Sequence, residues 1–183
     1  DQRCWLVDNR GSRRELSEHK AAVVDLALSE STAWVALADG SVERIALDGS
    51  AHETVFSDSR GAPITAIASD SSGSLVVAGT QDGRCFVRGD KTSSGGGWRR
   101  VRREQQVVAC ACSGDGHFFA LAGKHGRITV FRTDGVDEPA SEYEVDGDIA
   151  SICMTKDAQL VGLSTTEGDV YVHHVATRRV VSS

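Results

Sequence analysis

Short apolar runs alternate with polar turns along the whole chain, and the spacing within them is that of strands. Val35-Ala36-Leu37 runs into Ala38-Asp39-Gly40-Ser41 and then Val42-Glu43-Arg44-Ile45. Phe118-Phe119-Ala120-Leu121, Lys124-His125-Gly126-Arg127 and Ile128-Thr129-Val130-Phe131 repeat that order. Alternation with period two sends successive side chains to opposite faces of a strand. A polar residue plus Gly between two such runs marks a tight hairpin, because Gly supplies the positive φ the turn needs. No stretch keeps a helical i, i+3, i+4, i+7 stripe past two turns, and β-branched residues dominate. The pattern predicts an all-β fold.

The turn recurs as Gln81-Asp82-Gly83-Arg84 and Thr166-Glu167-Gly168-Asp169, so that the four glycines stand 43, 43 and 42 residues apart. A period near 42 residues with several strands per unit is the signature of a propeller blade. Each unit carries a first strand (23–29, 64–69, 107–113, 149–155) and a nearly continuous apolar second strand (34–37, 75–78, 118–122, 160–164). Such apolar runs suit strands buried on both faces. Third strands follow the turns (42–47, 84–88, 127–132, 170–175), and more polar outer strands close each unit (52–56, 98–103, 141–145, 178–181). Residues 1–8 resemble the stretch that begins at Asp82, with 1–7 set against 82–88 position by position and 13–16 as an outer strand. The expected organisation is a partial β-propeller over 1–183: the outer half of a blade at 1–17, then four-stranded antiparallel blades at 18–58, 59–104, 105–146 and 147–183.

These residues resemble the WD-repeat β-propellers, whose units carry an Asp-x-x-hydrophobic turn and close on a Trp-Asp dipeptide. Asp39-Gly40-Ser41-Val42 and Asp82-Gly83-Arg84-Cys85 match that turn. Ile67 to Gly73 and Cys110 to Gly116 look like the family's first strand and turn, and the resemblance gives His19 the role of its Gly-His histidine. The chain departs from the pattern as well. Ile45-Ala46, Val87-Arg88, Phe131-Arg132 and His174-Val175 stand where Trp-Asp is expected, and His125 and Glu167 replace the turn acid in two units. No subfamily is assigned. The resemblance implies a noncatalytic scaffold that binds other proteins of a multi-subunit complex. It also implies that inner strands of the first blade come from residues outside this segment.

Composition narrows the setting. No apolar run approaches the ~20 residues of a membrane helix, so no membrane insertion is expected. The formal charge of −6 argues against bulk nucleic-acid binding. Five cysteines without a C-x-x-C pair read as buried thiols of a reducing compartment, cytoplasmic or nuclear, with a cytoskeletal or ciliary assembly among the settings. The absence of an initial Met and of a signal pattern suggests a segment of something longer.

Candidate chemistry is sparse. Gly95-Gly96-Gly97 lacks the Lys-Ser/Thr of a phosphate loop. His173 and His174 are strand neighbours whose rings point apart, and His52 stands in a different unit from His117 and His125, which fall at turns, so no metal or cofactor site is expected. Asp39, Asp82 and Glu167 read as turn residues, since a short acidic side chain accepts backbone N–H bonds there. Cys110 takes the slot of Ile67 and Ile152 and reads as an inert packed thiol. No catalytic residue is assigned. One segment breaks the repeat: Trp98, Arg99, Arg100, Arg102 and Arg103 put an indole and four guanidinium groups on an outer strand. Arg and Trp are enriched at interface hot spots, which makes these five the candidate partner-binding residues. The plain alternative is an edge strand kept soluble by charge. A further alternative is a propeller that contacts nucleic acid or phosphate groups through this strand.

Overall fold

The computed structural model describes residues 2–89, 97–101, 106–177 and 179–182, with the side chains of 179–182 left aside. Among them lie eighteen strands and one 3-10 turn. A two-stranded sheet, β1 (Arg3–Val7) and β2 (Arg13–Glu18), comes first. Four antiparallel four-stranded sheets follow in chain order. The first holds β3 (Val23–Leu28), β4 (Thr32–Leu37), β5 (Ser41–Ala46) and β6 (His52–Ser57). The second holds β7 (Ile64–Ser69), β8 (Leu75–Thr80), β9 (Cys85–Gly89) and β10 (Trp98–Val101). The third holds β11 (Val107–Cys112), β12 (Phe118–Gly123), β13 (Arg127–Arg132) and β14 (Pro139–Glu144). The fourth holds β15 (Ile149–Met154), β16 (Leu160–Thr165), β17 (Val170–His174) and β18 (Arg179–Ser182). The fold is a β-propeller fragment of four-stranded blades.

Within every four-stranded sheet each strand pairs with the next in the chain. The recurring glycines make the middle connection: Gly40, Gly83, Gly126 and Gly168 all have φ between 77° and 99°. At Gly40 a β-carbon would also stand 2.7 Å from the carbonyl oxygen of Ala62, so the position requires glycine on both counts. The third of these turns differs from a plain hairpin. Lys124–Gly126 form a single 3-10 turn in which His125 itself takes φ 65°, a left-handed conformation that a non-Gly residue adopts at some cost.

The blades stack face to face, and the cores lie between them rather than within them. Trp34, Val42, Ile64 and Val76 pack between the first and second blades, with Phe56 and Trp98 at the margin. Leu75, Val87, Val107, Phe119 and Phe131 pack between the second and third. Ala33, Val35, Leu37 and Ile45 pack toward the two-stranded sheet, against Cys4 and Leu16. Cross-links between innermost strands follow the repeat period. Asp25 on β3 accepts the Ile67 N–H at 2.8 Å, and the Thr65 hydroxyl donates to the Val107 carbonyl at 2.5 Å; each pair is 42 residues apart. Blade stacking is what the period encodes.

Candidate functional site

Three places bring chemically capable side chains together: the arginine-bearing outer strand, and two buried polar knots where neighbouring sheets meet. The outer strand is β10, paired with β9 in the register Trp98 to Arg88, Arg99 to Val87 and Arg100 to Phe86. Arg102 and Arg103 lie outside the described residues. Trp98 is half-buried. Its indole N–H donates to the Val55 carbonyl at 3.1 Å, and its ring lies 5.0 Å from that of Phe56. Arg99 reaches the opposite way and pairs with Asp137 of the next blade at 2.5 and 2.7 Å. Arg100 is exposed. The indole is therefore a packing residue between blades, Arg99 a link to the following blade, and Arg100 the guanidinium this strand presents outward.

The first knot joins the first and second blades. Asp58 follows β6, and Arg84 stands at the entry to β9 after the Asp82-Gly83 turn. The Arg84 guanidinium donates to both Asp58 oxygens at 2.6 Å, a bidentate fork with side chains 9% and 2% exposed. Its Nε donates to the Asp82 carboxylate at 3.0 and 2.8 Å, and Asp82 also accepts the Thr80 hydroxyl at 2.6 Å. Arg84 holds both carboxyls below the usual range, Asp82 at about 2, and its own pKa is raised in return. Asp82 thus serves the arginine and a hydroxyl as well as the turn. At Asp39 the expected arrangement is present, its carboxylate accepting the Ser41 N–H at 3.0 Å and the Ser41 hydroxyl at 2.6 Å.

The second knot joins the two-stranded sheet to the first blade. His19 follows β2 and is wholly buried; its Nδ1 lies 2.6 Å from Glu43 Oε2. Glu43 projects from β5 with its side chain 9% exposed. His52, at the start of β6, brings its Nε2 to the same oxygen, also at 2.6 Å. The register Ile45 to His52 and Arg44 to Glu53 across β5 and β6 sets that approach. On the far edge of His19, Nε2 meets Ser17 Oγ at 2.9 Å and Cys4 Sγ at 3.3 Å. The two imidazole nitrogens and the carboxylate oxygen lie within 4.8 Å of one another, the spacing of a metal-ligand set.

Sequence reasoning weighs His52 only with His117 and His125, which stand in other places, and gives His19 a family hydrogen-bonding role. It misses Glu43, the residue that joins the two. A signal was present: Glu43 shares a strand face with Ile45, a core position, so period two puts a carboxylate on an apolar side.

Two further polar groups are quieter. Cys110, on the innermost strand β11, borders a cleft of about 440 Å³ shared with Asp25, Thr65, Ile67, Ser151 and Ile152. Burial pushes the Cys110 and Cys112 thiols well above their usual pKa, and the Cys110 thiol donates to the Val77 carbonyl at 3.7 Å. A protonated, desolvated thiol is a poor nucleophile. Tyr143 on β14 stacks on His173 of β17 with centroids 4.3 Å apart, and burial lowers the imidazole's pKa. The stacked pair packs the third blade against the fourth.

Residues 50–87 match a family model described as WD domain, G-beta repeat. The matched stretch contains β6, β7 and β8, most of β9, and both acids of the first knot. No curated protein matches this chain. Among the described residues no helix is long and apolar enough to cross a membrane.

Proposed function

Since the chain is a divergent WD-repeat propeller, we propose that it is a noncatalytic scaffold that binds other proteins within a multi-subunit assembly. The observation that carries the reading is the run of WD-type blades, of which 50–87 matches the family model. Repeat scaffolds of this family generally serve protein–protein interaction, and their rims and faces are the contact surfaces. The thiols Cys4, Cys110, Cys112 and Cys153 suit a reducing compartment, cytoplasmic or nuclear.

The proposed contact surface is the outer strand of the second blade, with Arg100 at its exposed centre and Arg102 and Arg103 following it in sequence. Trp98 and Arg99 support it from behind, the one held by Val55 and Phe56, the other by Asp137. The nucleic-acid alternative has no such support: the aromatic that would stack a base is packed against Phe56. A carboxylate-bearing protein surface is the partner this strand fits.

The test is a photo-crosslinking residue at position 100 of the full-length protein in cells, followed by binding of the captured protein to an Arg100→Glu variant. The expected result is a specific adduct and association slowed by about tenfold or less, as for a charge at an interface rim. No adduct, with unchanged association of every partner recovered by other means, returns the strand to a solvated edge.

A further inference from the structure

Glu43 presents an electrostatic problem that its neighbours leave open. Its carboxylate is about nine-tenths buried, and the groups that face it are two imidazoles, His19 and His52. Among the described residues it has no Arg or Lys ion pair. A buried carboxylate without a compensating cation is costly. Both imidazole nitrogens converge on one oxygen, and the two rings stand nearly perpendicular, 74° apart with centroids separated by 5.7 Å. Two edges and one oxygen directed at a common point, around an uncompensated charge, describe the surroundings of a cation.

We propose that His19 Nδ1, Glu43 Oε2 and His52 Nε2 form a three-ligand site for a divalent transition-metal ion of the zinc class. The donor set suits that class: two imidazole nitrogens and one carboxylate oxygen, with a water in a fourth position. A dication offsets the Glu43 charge permanently, whereas an imidazole does so only when protonated. The outer contacts are also in place. When Nδ1 of His19 binds the ion, the ring proton resides on Nε2, where the Ser17 hydroxyl at 2.9 Å accepts it. Ser17 is itself buried, so this acceptor is fixed. Cys4 lies at the Nε2 edge, away from the three converging atoms, and is not a ligand.

The fit requires a small opening. Around a tetrahedral ion with bonds of about 2.0–2.1 Å, ligand atoms stand ~3.3 Å apart, so each N–O separation must open by about 0.7 Å from its present 2.6 Å, by movement of Oε2 as well as of a ring. His52 is the ring able to move, with its side chain 37% exposed, whereas His19 is enclosed. The protons balance without loss. In the empty site each ring donates its N–H to Glu43; on binding, the proton passes to the other nitrogen of the same ring. The bound ion would clamp the segment after β2 to β5 and β6, fixing the two-stranded sheet on the first blade.

The experiment uses the full-length protein without a histidine tag, stripped with a chelator and titrated with Co²⁺, with Zn²⁺ as competitor. The expected result is one Co²⁺ per chain with the strong visible absorption of a four- or five-coordinate site, bleached by Zn²⁺. His52→Ala removes the most exposed ligand and should keep the wild-type circular dichroism while weakening binding about a hundredfold or more. Glu43→Gln should do the same if it folds; if it does not, His52→Ala alone decides. Absence of the absorption in the wild-type protein overturns the proposal. Binding undiminished in His52→Ala overturns it as well, since the ion then sits elsewhere.

Discussion

Asp58 and Glu43 are carboxylates of comparable burial, 2% and 9% exposed, and each lies where one sheet meets the next. Asp58 faces a guanidinium, which is permanently charged and presents two parallel N–H groups to its two oxygens. Glu43 faces two imidazoles, which carry charge only when protonated and crowd the same oxygen. The first arrangement is complete in itself and leaves no room for a ligand. The second holds geometry for three donors around a charge that the protein does not permanently compensate. Similar positions between blades have thus been resolved once as a closed structural clasp and once as an open one, and only the open one has chemistry to offer.

The comparison breaks most severely at the clasp that is closed. Arg84→Met leaves Asp58 buried and unpaired, and should lower stability in urea by about 3–5 kcal/mol. Adding Asp58→Asn removes the stranded charge while keeping an acceptor for the Ala62 N–H at 3.1 Å, so the double variant should regain much of the loss. A double variant no more stable than Arg84→Met would mean that the arginine acts through packing, not charge.

Glu43→Gln sharpens the other side. A carboxamide oxygen still accepts from one ring, and the loss should be about 1–3 kcal/mol in chelated protein, the range of hydrogen bonds to a charged group. The gap between the two variants measures how much more a permanent ion pair contributes than an imidazole clasp. Adding Zn²⁺ should raise the melting temperature of the wild-type protein and leave that of Glu43→Gln in place.

Acid separates the knots further. The pKa of Asp82 is depressed to about 2, and that of Asp58 is lowered as well, both chiefly by hydrogen bonds from Arg84. A carboxyl whose folded pKa lies below its unfolded value of about 3.9 contributes stability above that value, and the contribution is lost as pH falls through the folded pKa. The wild-type protein should therefore lose stability between about pH 4 and pH 2. Arg84→Met should lose less over that window, because the cause of both shifts is gone. The effect at Asp82 is modest, since its side chain is 41% exposed and screened by solvent. Parallel slopes for the two proteins would detach acid sensitivity from this clasp.

Much of the scaffold was legible because blade stacking repeats a local pattern, whereas both knots depend on pairs distant in sequence. The glycine turns and apolar second strands could be read directly, and β4 and β8 are buried at every position. β16 carries the same apolar pattern yet alternates half-buried with buried positions, because burial on a second face depends on a neighbouring blade. β3 shows the same dependence: Val24, Leu26 and Leu28 are 45%, 43% and 61% exposed, while β7 at the same place in the next blade is largely buried. Asp58 and Arg84 stand 26 residues apart, His19 and Glu43 24 apart, and nothing in one sequence pairs them. The arginine strand was visible as charge, but not that Trp98 would turn inward to Val55, 43 residues away.

The smallest effect belongs to a third carboxylate–guanidinium contact, the one set in solvent. Arg99 and Asp137 also bridge neighbouring blades, at 2.5 and 2.7 Å, but the aspartate side chain is 81% exposed and the arginine 28%. Water can replace either partner here, so the ion pair forgoes most of the penalty that makes Arg84 indispensable. Arg99→Ala should cost about 0.2–1 kcal/mol, less in high salt, because exposed pairs are screened. Arg100→Glu should leave urea stability within about 0.5 kcal/mol, as surface substitutions do, while slowing association with an acidic partner. A loss at Arg99 approaching that of Arg84→Met would show that an inter-blade ion pair matters by position rather than by burial. It would also undo the contrast between closed and open clasps, which rests on how far each carboxylate is removed from water.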